Sequence, residues 1–222
     1  MVRTLVIADE VAPDLTADSL RDLSPELVLG AGDLPWDYLE WVCDTVTCPV
    51  AFVPGNHDPA TELPRSETGL AWAEEEPGPR GVLNLDRRVT TVAGLRVAGL
   101  GGCVRYNDGP HQYTQRQFAR AGRRMMRAAG QGAPVDVLLT HAPPSGLGDR
   151  EDRPHVGIET LHQLLGRLQP TWHFHGHIHP FGITQPDRTS GATTVCNVIP
   201  WRMFEIEPRT AATKATSRFS RM

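Results

Sequence analysis

The sequence is almost devoid of lysine. Lys214 is the only one among 22 basic residues, so arginine carries nearly all of the positive charge. Because the chain also has 26 acidic residues, its formal net charge is −4. An acidic balance without a basic track argues against general binding to nucleic acid or to anionic membrane surfaces. We therefore predict neither a nucleic-acid partner nor a membrane partner.

Long apolar runs are missing as well. The N-terminal run, residues 5–8, is four residues long and is closed by Asp9 and Glu10. A membrane-spanning helix needs about 20 apolar residues, and a signal peptide also needs a longer run. Cysteine is scarce, and no pair has the Cys-x-x-Cys spacing of a metal or redox motif: Cys43, Cys48, Cys103 and Cys196. These features predict a soluble cytoplasmic protein with reduced thiols.

Short apolar runs alternate with amphipathic segments along the chain, which predicts an α/β fold. We expect one domain over residues 1–207, a solvated loop over residues 59–81 and a disordered tail over residues 208–222. The last two predicted strands, at residues 192–198 and 203–206, are expected to close a second sheet.

Polar side chains follow the predicted strands at their C-terminal ends. The segments are Asp9, Gly32-Asp33, Gly55-Asn56-His57-Asp58, Thr140-His141 and the window 173–179, which holds four of the nine histidines. Buried polar groups without partners cost about 1–3 kcal/mol each, so a cluster of this density indicates coordination. The carboxyl ends of parallel strands meet at one edge of a sheet, where mixed oxygen and nitrogen donors predict a transition-metal site.

In their order and strand-end placement, these segments, ending in Gly176-His177-Ile178-His179, resemble the motifs of calcineurin-like metallophosphoesterases over about residues 4–206. The resemblance implies that family's fold class, an α/β four-layer α/β/β/α sandwich of two mixed sheets flanked by helices. It also implies two divalent metal ions (Mn, Fe or Zn), which together clamp a phosphate and lower the pKa of a bridging water.

The resemblance further implies six metal ligands: Asp9, Asp33, Asn56, His141, His177 and His179. Asp33 would bridge the metals, Asp9 and His179 would complete the first site, and the remaining three would complete the second. The family's first motif reads Asp-x-His, whereas this chain has Val11 at the histidine position. Because valine cannot bind a metal, the Asp9–His179 site is expected to be the weaker one.

Two residues remain open as substitutes for the missing histidine. Glu10 is disfavoured, because it would point to the opposite face if the first strand continued through it. His175 shares strand parity with His177, but together with His173 it is expected to make hydrogen bonds rather than to bind metal.

Five further residues are predicted to act on the substrate. By the resemblance, His57 faces the phosphate as a proton donor or charge stabiliser, and Asp58 orients it. Arg105 and Tyr106 lie in a Gly-rich loop and would contact the phosphate and the leaving group; the alternative is a turn with solvated polar tips. His155 lies in a loop that would overhang the site.

The function predicted from these residues is metal-dependent hydrolysis of a small phosphate ester by a metal-activated water, with a slight preference for phosphodiesters. The alternative is a regulatory protein that binds a metal and a nucleotide with little turnover because its first metal site is impaired. The presence of both His57 and Asp58 favours the enzyme, because a pure binding protein has no need of a leaving-group acid.

Overall fold

The computed structural model of the protein describes residues 1–60, 78–130, 134–182 and 185–209. Its β-strands are Val2–Ile7 (β1), Leu27–Gly30 (β2), Val50–Phe52 (β3), Leu83–Asn84 (β4), Arg88–Val92 (β5), Leu95–Leu100 (β6), Cys103–Val104 (β7), Gln112–Tyr113 (β8), Val137–Thr140 (β9), Trp172–His175 (β10), Arg188–Ser190 (β11), Thr193–Asn197 (β12) and Trp201–Ile206 (β13). Its α-helices are Ala17–Leu23 (α1), Trp36–Thr45 (α2), Gln115–Ala129 (α3) and Thr160–Leu168 (α4).

Two mixed sheets form the centre of the fold. The first has the order β13-β1-β2-β3-β4, in which only β13 runs antiparallel to its neighbour. The second has the order β11-β12-β10-β9-β6-β5, with antiparallel pairs at both edges and parallel strands between them. Parallel pairing puts the carboxyl ends of β1, β2 and β3 at one edge of the first sheet, and those of β6, β9 and β10 at one edge of the second.

Three apolar clusters show how the layers stack. One joins the inner faces of both sheets, including Val6 and Leu29 from the first and Leu139 and Phe174 from the second. The second lies between the second sheet and helices α3 and α4, and the third between the first sheet and helices α1 and α2. Side chains alternate along each strand, so β1, β2, β3, β6 and β9 each supply residues to two clusters. The four-layer α/β/β/α sandwich expected from the resemblance is therefore confirmed.

The helix starts follow from local sequence. Thr16 and Thr114 each accept a backbone N–H of the first turn with their side chains, and Ser19 and Gln117 return a side-chain acceptor to the cap residue. Such capping boxes satisfy amide donors that have no partner within the helix. Helix α3 therefore begins at Gln115, directly after its Thr114 cap.

The second-sheet prediction was partly wrong. Strand β12 joins the second sheet, but β13 pairs with β1 in register from Val2↔Ile206 to Ile7↔Trp201 and so lies in the first. The cause is the short connection at residues 198–200, which carries the chain across from one sheet to the other. Strands β4 and β11 were also missed, since each is a short edge strand with little apolar content.

Other sequence predictions fall partly outside the described residues. The structure does not describe residues 61–77 of the predicted loop 59–81, or residues 210–222 of the predicted tail. Arg209 itself is held, since its backbone N–H donates to Asp136 Oδ1 at 2.8 Å. In the part of the chain that is described, no helix is long and apolar enough to cross a membrane.

Candidate metal centre

Three residues of the site have a left-handed backbone conformation just beyond the end of a strand. Asp9, Asp33 and His177 have φ values of 62°, 56° and 66°. Positive φ is uncommon for residues other than glycine and concentrates at functional sites. It turns each side chain sharply out of its strand direction, towards the space between the two sheet edges.

Neighbouring glycines let these turns approach one another. A Cβ on Gly55 would lie 2.0 Å from Asp33 Oδ1, and a Cβ on Gly176 would lie 2.0 Å from Asp9 Oδ2. Any side chain at either position would therefore displace a carboxylate of the site. Both positions require glycine because the carboxylates of Asp33 and Asp9 occupy the space that a side chain would need.

His141 lies at the centre and is fully buried. Its Nδ1 is 2.8 Å from the carbonyl oxygen of Ala31, and because a carbonyl only accepts, Nδ1 carries the proton. The other ring nitrogen, Nε2, is 3.1 Å from Asn56 Oδ1 and 3.3 Å from Asp33 Oδ2. Two oxygen acceptors thus converge on the nitrogen that bears the lone pair of the neutral ring.

His177 adds a second imidazole to this group. Its ring centroid is 4.8 Å from that of His141, and its Nε2 donates to the carbonyl of Pro154 at 3.0 Å, which leaves Nδ1 with the lone pair. Possible ligand atoms of Asp33, His141 and His177 all lie within 4.8 Å of one another. These residues come from the edges of both sheets, so the site spans the sandwich.

The charges in the site are strongly coupled. Burial opposes the charged form of Asp33, but His141 outweighs it through its charge and hydrogen bond and lowers the pKa of Asp33 to about 2. Burial likewise opposes the charged form of His141, yet Asp33 raises the pKa of His141 to about 10. Burial lowers the pKa of His177 to about 3. Without a metal, a proton on His141 Nε2 therefore offsets the surrounding negative charge.

Asp9 and His179 form the adjoining half of the site. Both Asp9 carboxylate oxygens accept the backbone N–H of His177 at 3.0 Å, and burial raises the pKa of Asp9 to about 7. His179 Nε2 is 3.8 Å from Asp9 Oδ1, while its Nδ1 is 2.9 Å from Glu10 Oε1. Strand β1 ends at Ile7, so the strand alternation that disfavoured Glu10 does not extend to it, and Glu10 faces the site.

His57 and Asp58 are placed differently from each other. His57 is exposed and lines an open cleft of about 290 Å³ together with Asp33, and its backbone N–H donates to Asp33 Oδ1 at 2.7 Å. Asp58 is buried, and its Oδ2 accepts the backbone N–H groups of Asp33 and Gly55 at 3.0 and 2.7 Å. These contacts make Asp58 a brace for the two strand-end loops, and its role in orienting His57 stays a prediction.

Of the three predicted substrate contacts, two lie at the site and one does not. Tyr106 reaches the site, because its hydroxyl oxygen accepts from Asn56 Nδ2 at 3.2 Å. His155 lies beside it, with its ring 5.4 Å from that of His177 and its Nδ1 2.5 Å from Asp152 Oδ2. The Arg105 guanidinium instead donates to the carbonyl of Gln112 at 3.3 Å, which supports the alternative of a structural turn for this residue.

Sequence reasoning missed other contributors. Arg150 donates to the carbonyl of His179 at 2.7 Å, and its guanidinium stacks 5.1 Å from the centroid of the exposed Phe181 ring. Ala31 and Pro154 contribute through their backbone carbonyls, and such contacts cannot be predicted from residue type. The sequence signal for Arg150 was its place in the loop after the strand that leads to His141.

The remaining histidines of the window have hydrogen-bonding roles, as expected. His173 Nε2 is 2.9 Å from Thr140 Oγ1, and His175 Nδ1 is 3.0 Å from the carbonyl of Gly176. Burial lowers the pKa of His175 to about 4 and that of His173 well below its ordinary value. Both are therefore neutral parts of the second sheet.

Comparison with known proteins identifies this arrangement. A family model described as calcineurin-like phosphoesterase matches residues 6–181, a range that includes all six predicted metal ligands. The chain belongs to the calcineurin-like phosphoesterase family. The resemblance drawn from the motifs is thereby confirmed.

Individual relatives are more distant. UPF0046 protein C25E10.12 of Caenorhabditis elegans is 35% identical over 88 residues, which are 36% of this chain and 30% of that protein. UPF0046 protein K07C11.7 of the same organism is 26% identical over 129 residues, 57% of this chain and 44% of that protein. The matches thus span less than half the length of these relatives.

Solved structures extend the similarity to the whole fold. TT1561 of Thermus thermophilus matches with a TM-score of 0.57 at 17% identity and covers 88% of both chains. A further crystal structure matches with a TM-score of 0.60 at 16% identity and covers 94% of this chain and 99% of the other. At these identities the similarity concerns the fold alone.

The donor set fits the divalent cations that calcineurin-like phosphoesterases use. A carboxylate, an amide oxygen and two imidazoles, each with a lone pair directed inward, are ligands that Mn²⁺, Fe²⁺ and Zn²⁺ accept. The Asn56 and Asp33 oxygens and the Nε2 lone pair of His141 would repel one another without a cation or a proton between them. At the other half of the site, Val11 is 51% exposed and supplies no donor.

Proposed function

We propose that this protein is a metal-dependent phosphoesterase that hydrolyses a small phosphate ester, with a slight preference for phosphodiesters. The observation that carries the proposal is the convergence of Asp33 Oδ2 and Asn56 Oδ1 on the Nε2 of a fully buried His141. Burying these charged and polar atoms costs free energy, and a cation bound between them would offset that cost.

The six predicted ligands divide as the motifs imply. Asp33 would be shared by two cations, with Asn56, His141 and His177 on one side and Asp9 and His179 on the other. Bound divalent cations of the Mn, Fe or Zn type supply a Lewis acid for the phosphoryl oxygens and lower the pKa of a bound water. The carbonyls of Ala31 and Pro154 fix the tautomers of His141 and His177, which keeps their lone pairs directed at the centre.

His57 is the residue assigned to the leaving group. Its exposed side chain stands in the cleft beside Asp33, where a ring N–H can donate to the ester oxygen as the bond to phosphorus breaks. Tyr106, which contacts Asn56, and His155, whose ring lies 5.4 Å from that of His177, are assigned to substrate contacts. The backbone contacts of Asp58 keep the loop that carries His57 attached to the loop that carries Asp33.

A substrate panel tests the proposal. Metal-stripped protein is reconstituted with Mn²⁺, Fe²⁺ or Zn²⁺ and assayed on aryl phosphomonoesters, aryl phosphodiesters, nucleotides and cyclic nucleotides. We expect turnover only with metal, and a higher kcat/KM for diesters than for monoesters. Asp33→Asn, prepared in parallel, serves as a control for contaminating phosphatases. Turnover of monoesters alone would contradict the diester preference but would retain the phosphoesterase.

A second function is favoured by the exposed valine at position 11. With one ligand fewer, the protein would hold one cation and a nucleotide as a regulatory binding protein with little turnover. Tight nucleotide binding by the metal-loaded protein, together with hydrolysis no faster than that of Asp33→Asn on the whole panel, would establish this alternative.

We further propose a cytoplasmic location, supported by four unpaired cysteines of which Cys103 and Cys196 are buried.

A further inference from the structure

The backbone after β1 brings Glu10 to the metal centre instead of away from it. Strand β1 ends at Ile7, Asp9 has a φ of 62°, and the Glu10 amide donates to the carbonyl of Ala8 at 2.6 Å. This tight turn replaces the two-residue alternation of a strand, so that Asp9 and Glu10 both face His179. Val11, which follows, points outward and is 51% exposed.

Glu10 and Asp9 contact opposite nitrogens of the same imidazole. Glu10 Oε1 lies 2.9 Å from His179 Nδ1, and Asp9 Oδ1 lies 3.8 Å from His179 Nε2. Only a protonated Nδ1 can donate to the Glu10 carboxylate, and in the neutral ring this leaves the Nε2 lone pair facing Asp9. A separation of 3.8 Å is within the roughly 3–4 Å expected for two ligand atoms that share one cation at bond lengths of about 2.1 Å.

We propose that Glu10 is a positioning residue for the Asp9–His179 cation site. It holds the Nδ1–H of His179 and fixes the tautomer and orientation of the ring, as carboxylates paired with metal-binding histidines do. The inference rests on the proposed function, because it assumes that this half of the site takes a cation. Glu10 thereby stabilises the ligand His179 in the site that lacks the family's first-motif histidine, without becoming a ligand itself.

A second contact restrains His179 from its backbone. Arg150 donates to the His179 carbonyl at 2.7 Å, so the residue is fixed at its main chain by one loop and at its ring by Glu10. The ring is 41% exposed and Glu10 is 50% exposed, so among the described residues the core does not fix either side chain, and the nearby ring of Phe181, at a centroid distance of 6.3 Å, is itself exposed. The hydrogen bond to Glu10 is then the contact that selects the rotamer and tautomer of His179.

The test compares Glu10→Gln and Glu10→Ala with the wild type and with Glu151→Gln. Glu151 is an exposed acid on the loop that carries Arg150, so its variant controls for the loss of one negative charge. The first readout is the His179 tautomer in metal-free protein at pH 8, from long-range ¹H–¹⁵N NMR with the signal assigned through His179→Gln. The second is the affinity of each metal equivalent, from calorimetric Zn²⁺ titration.

We expect the Nδ1–H tautomer in the wild type, in Glu151→Gln and in Glu10→Gln, whose amide oxygen still accepts, and the Nε2–H tautomer in Glu10→Ala. The weaker Zn²⁺ equivalent should lose about 10–100-fold in affinity in Glu10→Ala and less in Glu10→Gln, while the tighter one stays unchanged.

Two results would overturn the proposal. Wild-type tautomer and affinities in Glu10→Ala would remove Glu10 from the site. Loss of the whole weaker equivalent in Glu10→Gln, with the tautomer unchanged, would make Glu10 a ligand. If the wild type bound no Zn²⁺, the proposed function would fail, and the tautomer comparison would still decide whether Glu10 positions His179.

Discussion

Asp33 is the residue on which most of the site's contacts meet. Its Oδ1 accepts the His57 amide, its Oδ2 faces His141, and its own N–H donates to Asp58. The resemblance to the family's motifs predicted Asp33, because the order of those motifs is specific whereas a Gly-Asp dipeptide by itself is not. It did not predict the contacts of Asp58 or Glu10, because both depend on left-handed turns that are invisible to strand alternation.

Removing the Asp33 carboxylate is therefore expected to abolish binding of both metal equivalents. Asp33→Ala leaves His141 and Asn56 in place but takes away the shared ligand and most of the negative charge. Elemental analysis after Mn²⁺ reconstitution and desalting measures the loss. Asp18→Ala, an exposed acid of helix α1, is the matched control and should keep the wild-type metal content. Unchanged metal in Asp33→Ala would exclude its bridging role.

Replacement of His57 should separate chemistry from metal binding. His57→Ala is expected to retain the wild-type metal content but to lose about 10²–10⁴-fold in kcat on esters with alkyl leaving groups. The loss should be smaller with nitrophenolate leaving groups, which need less protonation. His162→Ala, on the exposed surface of α4, should behave as the wild type. A His57→Ala protein that cannot retain metal would show that His57 is a ligand.

At the scale of elements, the sequence predicted the fold well where periodicity and caps were both present. Apolar patterns bounded by turn signals predicted hairpin strands at residues 88–92 and 95–100 and a helix at residues 160–168, and β5, β6 and α4 have these bounds. It failed for β13, because an apolar strand fits either sheet and the choice depends on the connection at residues 198–200. It also failed for the short edge strands, whose pairing is set by neighbours distant in sequence.

Two glycines at different elements give a paired prediction. Gly176→Ala would place a methyl group 2.0 Å from Asp9 Oδ2, so it should displace Asp9 and weaken the Asp9–His179 site at least tenfold by metal titration. Gly166→Ala on helix α4 meets nothing within 4 Å, and it should raise the free energy of unfolding by about 0.5–1 kcal/mol through helix propensity. Equal metal affinity in the two variants would contradict the close approach of Gly176 to Asp9.

At the scale of the whole molecule, the two sheets meet in a shared apolar core, and the charged groups lie where their strands end. The interactions of His141, whose pKa is raised to about 10, stabilise the metal-free fold fully below pH 6.5 and are lost as the pH rises towards 10. Asp9, whose pKa is raised to about 7, contributes stability below pH 4 that is lost as the pH rises through 7. Asp33, with a pKa near 2, contributes stability that is lost only as the pH falls from about 4 towards 2.

The melting temperature of metal-free protein should therefore fall between pH 7 and pH 9. A divalent cation displaces the proton on His141, so the stabilisation it gives should grow over the same range. Thermal unfolding with EDTA and with excess Zn²⁺ at each pH measures both effects, and Asp33→Ala should show neither the His141-dependent decline nor the cation effect. Stabilisation by cation that is independent of pH would contradict the exchange of proton for metal.

The measurement that tests the central claim most directly is the rate of hydrolysis of an aryl phosphodiester by metal-stripped protein as Mn²⁺ is added. We predict no hydrolysis without metal, a rise that saturates only as the second and weaker equivalent binds, and no rise at all in Asp33→Ala. Hydrolysis that is independent of Mn²⁺ and of Asp33, or Mn²⁺ binding without hydrolysis of any phosphate ester, would contradict the assignment of a metal-dependent phosphoesterase.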